Sequence, residues 1–342
     1  MKPLRILALV REGLVPPESL DGYSEKQIAE WKVEYDVVAT LNNLGHDVRP
    51  LGVFDDLAPI RQSIQEWKPH VAFMLLEEFH GVGIYDQAIV SYLELMRQHY
   101  TGCNPGGLLL SHDKALSKKI LSYHRIATPR FAVLAKGRKI RRPRRLEFPI
   151  LVKSATEDAS LGISQASIVS DEAAFTERVG FIHENVGTDA LAEEFIDGRE
   201  LYVGVIGNQR LQTFAVWEMY FDKMPENVAR IATARVKWDH KYQEKHGITT
   251  GPAKDLPDGA ASNLPRLCKR VYRALNMTGY ARIDLRMRSD GQVYVIEANA
   301  NPNLAFGEDL AESAEVAGLK YDALLQRIVT LGLSYQAPWK DY

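Results

Sequence analysis

The sequence has few cysteines: Cys103 and Cys268 are the only two among 342 residues. No Cys-x-x-Cys pair and no Cys/His cluster with ligand spacing is present, which excludes a zinc site of the usual kind. Two isolated cysteines are typical of reduced thiols in the core of a cytoplasmic protein.

Long apolar segments and an excess of one charge are also lacking. The apolar run before Arg11 is too short for the core of a signal peptide or for a membrane span. A net charge of −2 gives no overall attraction to nucleic acid or to an anionic membrane. We therefore expect a cytoplasmic protein that acts on small molecules, with no nucleic-acid or membrane partner.

Two common phosphate-binding motifs are missing. The sequence contains neither G-x-x-x-x-G-K-[ST] nor a strand followed by G-x-G-x-x-G. A nucleotide site, if present, must be built from other residues.

A length of 342 residues is large for a single core and predicts two or three domains that share an interface. The first third alternates strands and helices, beginning with the strand RILALV and a helix over residues 25–45. From residue 148 onward short strands dominate, and hairpin turns are predicted at Asp197-Gly198 and Gly207-Asn208. The pattern indicates an α/β segment followed by antiparallel α+β segments.

The segment KGRKIRRPRR, residues 136–145, is strongly basic. A charge run in a near-neutral protein is usually a solvated loop, and that is the favoured interpretation. The alternative is a patch for nucleic acid or an acidic partner.

The strands ARIDLRM and VYVIEANAN are joined by the turn Ser289-Asp290-Gly291 and should form a hairpin. Period-two alternation places Arg282 with Asp284 on one strand and Glu297 with Asn299 on the other, and the pairing brings Asp284 toward Glu297. Two close carboxylates repel, so a cation must lie between them. Arg282 could offset part of the charge, and Mg²⁺ prefers this oxygen donor set. A structural polar patch is the alternative.

In the segment ILVKS, Lys153 ends an apolar strand and is followed by the small-residue loop SATEDASLGIS. A lysine and a loop of this kind could bind phosphates, because Mg²⁺ held by few carboxylates usually also contacts phosphate. Taken alone, the pattern is weak, and a surface lysine is the favoured interpretation.

Six segments follow one another along the chain: YTGCN, HDKALSKKIL, FPILVKSATEDASLGIS, LAEEFIDGREL, YARIDLRM and VIEANANPN. In this order, and over about residues 70 to 325, they resemble the ATP-grasp carboxylate–amine ligases, most closely the D-alanine–D-alanine ligase group. The resemblance implies an ATP-grasp fold of three parts: a Rossmann-like α/β domain (1–112), a small α+β lid (113–196) and a C-terminal α+β subdomain with the metal site (197–342).

The resemblance also implies site residues. The ATP-binding set would be Lys114, Lys153, Ser160, Gly162, Glu193, Glu194, Phe195, Ile196 and Glu200. Asp284, Glu297 and Asn299 would ligate Mg²⁺, as two ions, with Mn²⁺ as a substitute, and Arg282 would stabilise the transition state. The reaction implied is phosphorylation of a carboxylate by ATP, followed by attack of an amine to give an amide bond.

The chain departs from that group at both substrate sites. VREGLVPPESLDGYSEKQ replaces the N-terminal Gly-Gly-x-Ser-x-Glu loop, and HGVGIYDQ keeps only His80, Gly81 and Asp86 of its segment. NPNLAFGED, with Asn303 and Leu304, replaces residues that hold the second substrate. We expect amino-acid or peptide substrates other than D-alanine, with D-alanine–D-alanine ligation and a regulatory nucleotide-binding protein as the alternatives.

The segment RVKWDHKYQEKHG is similar to the mobile loop that closes over ATP in the group, and Lys241 matches its catalytic lysine. A plain connecting loop is the other interpretation. The resemblance is also compatible with a homodimer.

Overall fold

Three separate β-sheets organise the chain in the computed structural model, which describes residues 2–156, 163–225 and 228–337, apart from the Trp238 side chain. The strands are β1 (Arg5–Arg11), β2 (Asp47–Val53), β3 (Val71–Met74), β4 (Phe131–Leu134), β5 (Ile150–Ser154), β6 (Ile168–Val169), β7 (Ala190–Glu194), β8 (Arg199–Ile206), β9 (Gln212–Thr213), β10 (Trp217–Phe221), β11 (Ile248–Pro252), β12 (Tyr280–Met287) and β13 (Val293–Ala300). The α-helices are α1 (Glu25–Glu30), α2 (Lys32–Asn43), α3 (Ala58–Glu66), α4 (Asp86–Leu95), α5 (Pro105–His112), α6 (Lys114–Tyr123), α7 (Glu172–Phe181), α8 (Ala234–Trp238), α9 (His240–His246), α10 (Ala260–Ala274), α11 (Asp309–Val316) and α12 (Tyr321–Ser334).

The first sheet is parallel, in the order β2-β1-β3. The single helix predicted over residues 25–45 is two helices, because Trp31 leaves the helical conformation with φ −126° and ψ 25°. The Trp31 ring packs between Tyr23 and Tyr35, with ring centroids 5.3 and 5.9 Å away. Aromatic packing thus fixes the break between α1 and α2.

The last helix of the described chain packs on the first sheet. Leu324 and Ile328 of α12 are fully buried in one core with Ile6 and Ala8 of β1. Burial of such side chains contributes about 1.5–3 kcal/mol each. The two ends of the chain therefore stabilise each other.

The second sheet is antiparallel, in the order β4-β7-β5-β6, and Phe175 and Val179 of α7 fill its core. The hairpin predicted at Asp197-Gly198 is wrong: β7 lies in this sheet, whereas β8 lies in the next one. The turn signal marks a crossing between two sheets.

The third sheet has the order β11-β10-β8-β12-β13, with β9 paired to β8. The turn at Gly207-Asn208 joins β8 and β9 in a hairpin, as predicted. The β12–β13 hairpin is also confirmed, and its register pairs Asp284 with Glu297. The three sheets lie in the three predicted segments, and the domain boundaries at 112/113 and 196/197 remain predictions. Within the described ranges, no helix is long and apolar enough to cross a membrane.

Burial of Glu34 in α2 should make the stability of the protein depend on pH. Glu34 is only 6% exposed, and burial, with a smaller contribution from Glu77, raises its pKa from 4.5 to about 7 despite an opposing backbone hydrogen bond. The folded protein therefore binds this proton more tightly than the unfolded chain, and stability falls as the pH rises from 4.5 to about 7. Glu34→Gln should remove that loss, raising the free energy of unfolding by about 2–3 kcal/mol above pH 7.

Urea denaturation at pH 4.5 and pH 8 would measure this effect. Glu30→Gln, at an exposed position of α1, is the matched control and should change stability little at either pH. A Glu34→Gln variant with no gain in stability at pH 8 would contradict the assignment.

Candidate active site

A cleft lies between the second and third sheets. Its lining includes six of the residues predicted to bind ATP: Lys153, Glu193, Glu194, Phe195, Ile196 and Glu200. Asp284 and Glu297, predicted to bind metal, also line it. The structure therefore gathers residues from β5, the β7–β8 connection and the β12–β13 hairpin into one concave site.

Two arginines that were not predicted hold the acids along the β7–β8 connection. Arg286 Nη2 lies 2.5 Å from Glu200 Oε2, and Arg288 Nη2 lies 2.8 Å from Glu194 Oε1. Tyr202 donates a hydrogen bond to the other oxygen of Glu200, at 2.9 Å. Period-two continuation from Arg282 and Asp284 along β12 would have placed Arg286 and Arg288 on the same strand face.

A buried cluster of two lysines and one glutamate forms one wall of the site. Glu193 Oε1 lies 2.9 Å from Lys153 Nζ, and Glu193 Oε2 lies 3.0 Å from Lys118 Nζ. Burial opposes ionisation of Glu193, but the two lysines outweigh it and lower its pKa. Burial lowers the pKa of Lys118, and Glu193 counteracts this shift. Lys118 was missed, although it is the second lysine of the motif in HDKALSKKIL.

The β12–β13 hairpin presents the predicted metal residues. Arg282 binds Asp284 through two hydrogen bonds, from Nε at 2.7 Å and from Nη2 at 2.9 Å. Asn299 Nδ2 donates to Asp284 Oδ2 at 3.0 Å. The Arg282 guanidinium also lies 4.9 Å from the centre of the Tyr202 ring. These contacts join three polar side chains of the hairpin, Arg282, Asp284 and Asn299, and the Tyr202 ring of β8 in one network.

The two carboxylates of the hairpin differ in their electrostatic environment. Burial raises the pKa of Asp284, Arg282 lowers it in part, and the Glu297 charge raises it. Burial also acts against ionisation of Glu297, but nearby cations outweigh it and bring its pKa down to about 2. These cations are, in decreasing order of effect, Lys114, Lys153, Lys237 and Arg282. Glu297 is therefore an anion at every physiological pH.

The donor set of the hairpin fits Mg²⁺. Asp284 and Glu297 are paired across two strands and supply carboxylate oxygens, and Asn299 supplies an amide oxygen. Mg²⁺ is usually bound by one or two carboxylates together with substrate phosphates. In keeping with this small set, the described residues contain no group of three His, Cys, Asp or Glu that could hold a metal.

Two of the predicted lysines, Lys114 and Lys241, are not part of the cleft lining. Lys114, at the start of α6, is buried and acts electrostatically on Glu297. Lys241 is exposed on α9, whereas Lys237 of α8 lines the cleft. The predicted loop is thus two short helices, and its lysine at the cleft is Lys237 in this structure. The catalytic role of Lys241 stays a prediction.

The predicted substrate residues are not part of the cleft lining. His80 is exposed and stacks on Phe54, with ring centroids 5.9 Å apart. Asn303 accepts a hydrogen bond from the Ala305 backbone at 2.8 Å. Leu304 is 1% exposed and packs in the core, and its contact with substrate stays a prediction. Ser160 and Gly162 lie outside the described residues.

Asn301 ties the turn after β13 to the N-terminal part of the chain. It has a left-handed backbone, with φ 48°, and its side-chain oxygen accepts a hydrogen bond from Cys103 N at 2.9 Å. Gly102 has φ 91°, and a Cβ there would lie 2.4 Å from Asn301 Oδ1. Only glycine fits this contact.

Comparison with known proteins identifies relatives of the whole chain. Residues 120–330 match the family model described as D-ala D-ala ligase C-terminus. The D-alanine–D-alanine ligase of Syntrophotalea carbinolica is 31% identical over 315 residues, covering 91% of this chain and 93% of the relative. The uncharacterized protein y4sG of Sinorhizobium fredii is 31% identical over 245 residues, covering 70% and 68%.

Solved structures show the same fold. The D-alanine–D-alanine ligase of Bacillus anthracis matches with a TM-score of 0.75 and 22% identity, covering 96% of this chain and 97% of that one. Its complex with ATP matches with a TM-score of 0.72. The sheets of the present structure thus have the ATP-grasp arrangement, and the chain belongs to the D-alanine–D-alanine ligase family.

Proposed function

We propose that the protein is an ATP-dependent ligase that forms an amide bond between two amino-acid-like substrates through an acyl phosphate. The observation that carries the proposal is the convergence of Lys153, Asp284 and Glu297 on one cleft. Phosphoryl transfer depends on charge neutralisation and positioning more than on covalent help from the protein. The ATP requirement supports a cytoplasmic location.

Each part of the site has a role in this reaction. The apolar side chains of Phe195 and Ile196 would face the adenine, and Glu200, held by Tyr202 and Arg286, would accept hydrogen bonds from the ribose. Lys153 would neutralise phosphate charge. Mg²⁺, held by Asp284, Glu297 and Asn299, would supply further neutralisation of the phosphates.

ATP, the carboxylate and the amine supply every attacking and leaving group that the reaction needs. The carboxylate oxygen attacks the γ-phosphorus of ATP and ADP leaves. The amine nitrogen then attacks the acyl carbon, a proton is lost from nitrogen and phosphate leaves. Arg282 carries a fixed positive charge beside the metal residues, where it can stabilise the negative charge that develops during transfer.

D-alanine–D-alanine ligation is the second candidate, and the similarity to ligases with that name over nearly the whole chain favours it. Against it, Asn303 and Leu304 replace the group's substrate residues, and the N-terminal loop carries no equivalent acid. The altered segments favour a different acid or amine acceptor.

A phosphate-release screen over paired amino acids and dipeptides, including D-alanine with itself, would test both candidates. We expect release that requires ATP, a carboxylate substrate and an amine together, with an amide product found by mass spectrometry. D-alanine alone should give weak turnover or none. Release of ADP with no amine present and no amide product would overturn the proposal. Tight ATP binding without turnover on the whole panel would instead indicate a regulatory nucleotide-binding protein.

A further inference from the structure

Lys118 is a fully buried lysine that the proposed reaction does not use. It lies in α6, its side chain is 2% exposed, and its ammonium is 3.0 Å from Glu193 Oε2. Burial of an ammonium is costly unless it is paired and hydrogen-bonded. Its place beside the nucleotide cleft therefore requires an explanation.

The contacts of Lys118 join three parts of the molecule. The Lys118 ammonium forms an ion pair with Glu193 of β7. It also donates a hydrogen bond to the carbonyl oxygen of Ile296 in β13, at 3.0 Å. Ile296 directly precedes the predicted metal ligand Glu297. Through Lys118, helix α6 thus connects β7 of the second sheet with β13, the strand that carries Glu297.

The charge of Lys118 also affects Lys153. The two oxygens of Glu193 are divided between the two lysines, Oε1 to Lys153 and Oε2 to Lys118. A single glutamate cannot neutralise two ammonium groups, and the next carboxylate that acts on both lysines is Glu297. Without Lys118, the full charge of Glu193 would act on Lys153 alone.

We infer that Lys118 is a positioning residue for nucleotide phosphates: by sharing Glu193 with Lys153, it keeps the Lys153 ammonium placed and available to phosphate oxygens. The inference rests on the proposed use of ATP at this cleft. Lys118 acts through Glu193 and Lys153 and is not itself assigned a contact with the nucleotide. Loss of the Lys118 charge should therefore weaken the binding of nucleotides that carry phosphate groups and leave the binding of adenosine nearly unchanged.

Equilibrium binding of ATP, ADP and adenosine to the intact protein tests the inference without depending on turnover. Lys118→Met should weaken ATP and ADP binding by at least about tenfold, because truncating one partner of a buried charge pair has effects of this size or more. Adenosine binding should change by less than about twofold, since it carries no phosphate. Lys118→Arg, which keeps the charge, should bind ATP much more tightly than Lys118→Met does.

Lys119→Met is the matched control, because Lys119 is the next residue of the same helix and is exposed. It should bind all three ligands like the unchanged protein. Circular dichroism would establish that each variant is folded, and Lys118→Gln replaces Lys118→Met if the latter does not fold.

Two results would overturn the inference. Equal weakening of ATP and adenosine would show that Lys118 only maintains the shape of the pocket, and unchanged binding of all three ligands would show that its charge is not needed. Failure of the proposed function would look different: the unchanged protein would bind ATP but form no amide, and the binding comparison would still be interpretable.

Discussion

Glu297→Gln is expected to lower turnover by roughly 10²–10³-fold, the size of effect seen when one electrostatic group is removed from a transition-state site. Glutamine keeps the shape of the side chain but lacks the negative charge. In the unchanged protein the surrounding cations keep the Glu297 carboxyl group ionised and lower its pKa to about 2. The same substitution removes a counter-charge of Lys114 and Lys153. ATP should therefore bind at least as tightly as before when Mg²⁺ is absent.

Phosphate release with the substrates found in the screen would measure turnover, and ATP titration in the presence of a chelator would measure binding. Asp284→Asn should cause a similar loss of turnover, because it removes the paired carboxylate on β12. Glu315→Gln, at an exposed position of α11, is the control and should leave the rate unchanged. Near-normal rates in both hairpin variants would refute the metal assignment.

Arg282→Met should cost about 3–5 kcal/mol in the free energy of unfolding, the usual effect of breaking a buried ion pair. It leaves Asp284 buried without the arginine that forms two hydrogen bonds with it. Burial raises the pKa of Asp284 and Arg282 is the main group that lowers it, so the variant should also protonate Asp284 more readily. Turnover should fall for two reasons: a protonated Asp284 is a poorer ligand for the proposed Mg²⁺, and the positive charge of Arg282 is gone.

Urea denaturation and the phosphate-release assay would measure the two effects separately. Arg282→Lys should recover part of the stability, because lysine keeps the charge but not the two-pronged geometry. Arg288→Met is the matched control for stability: its pair with Glu194 is about one third exposed and should contribute at most about 1 kcal/mol. Equal stability losses in the two methionine variants would contradict the view that the Arg282 pair is special.

The hairpin that carries the proposed metal ligands could be predicted from the sequence in detail. Period-two alternation on both strands and a short Ser-Asp-Gly turn leave few registers, and the structure has the expected partner for Asp284. The same kind of local signal failed at Asp197-Gly198. Turn residues show that the chain changes direction, but they do not show whether the next strand joins the same sheet or another one.

The residues missed by sequence reasoning share one property: their partners are distant in the chain. Lys118 is paired with Glu193, and Arg288 with Glu194, across different elements of the fold. Lys237 reaches the cleft only because residues 234–238 form a short helix, where the sequence suggested a loop. Such contacts follow from tertiary packing, and neither periodicity nor local propensity determines them.

The contact between Asn301 and Gly102 sets a limit on redesign of the enzyme. Replacing either residue would separate the turn after β13 from the backbone at Cys103. A library built to change the amine acceptor should therefore keep this pair fixed and vary positions beyond it, such as the exposed Phe306. Variation confined in this way would alter the segment proposed to bind the amine substrate and leave the residues proposed to bind Mg²⁺ and ATP in place.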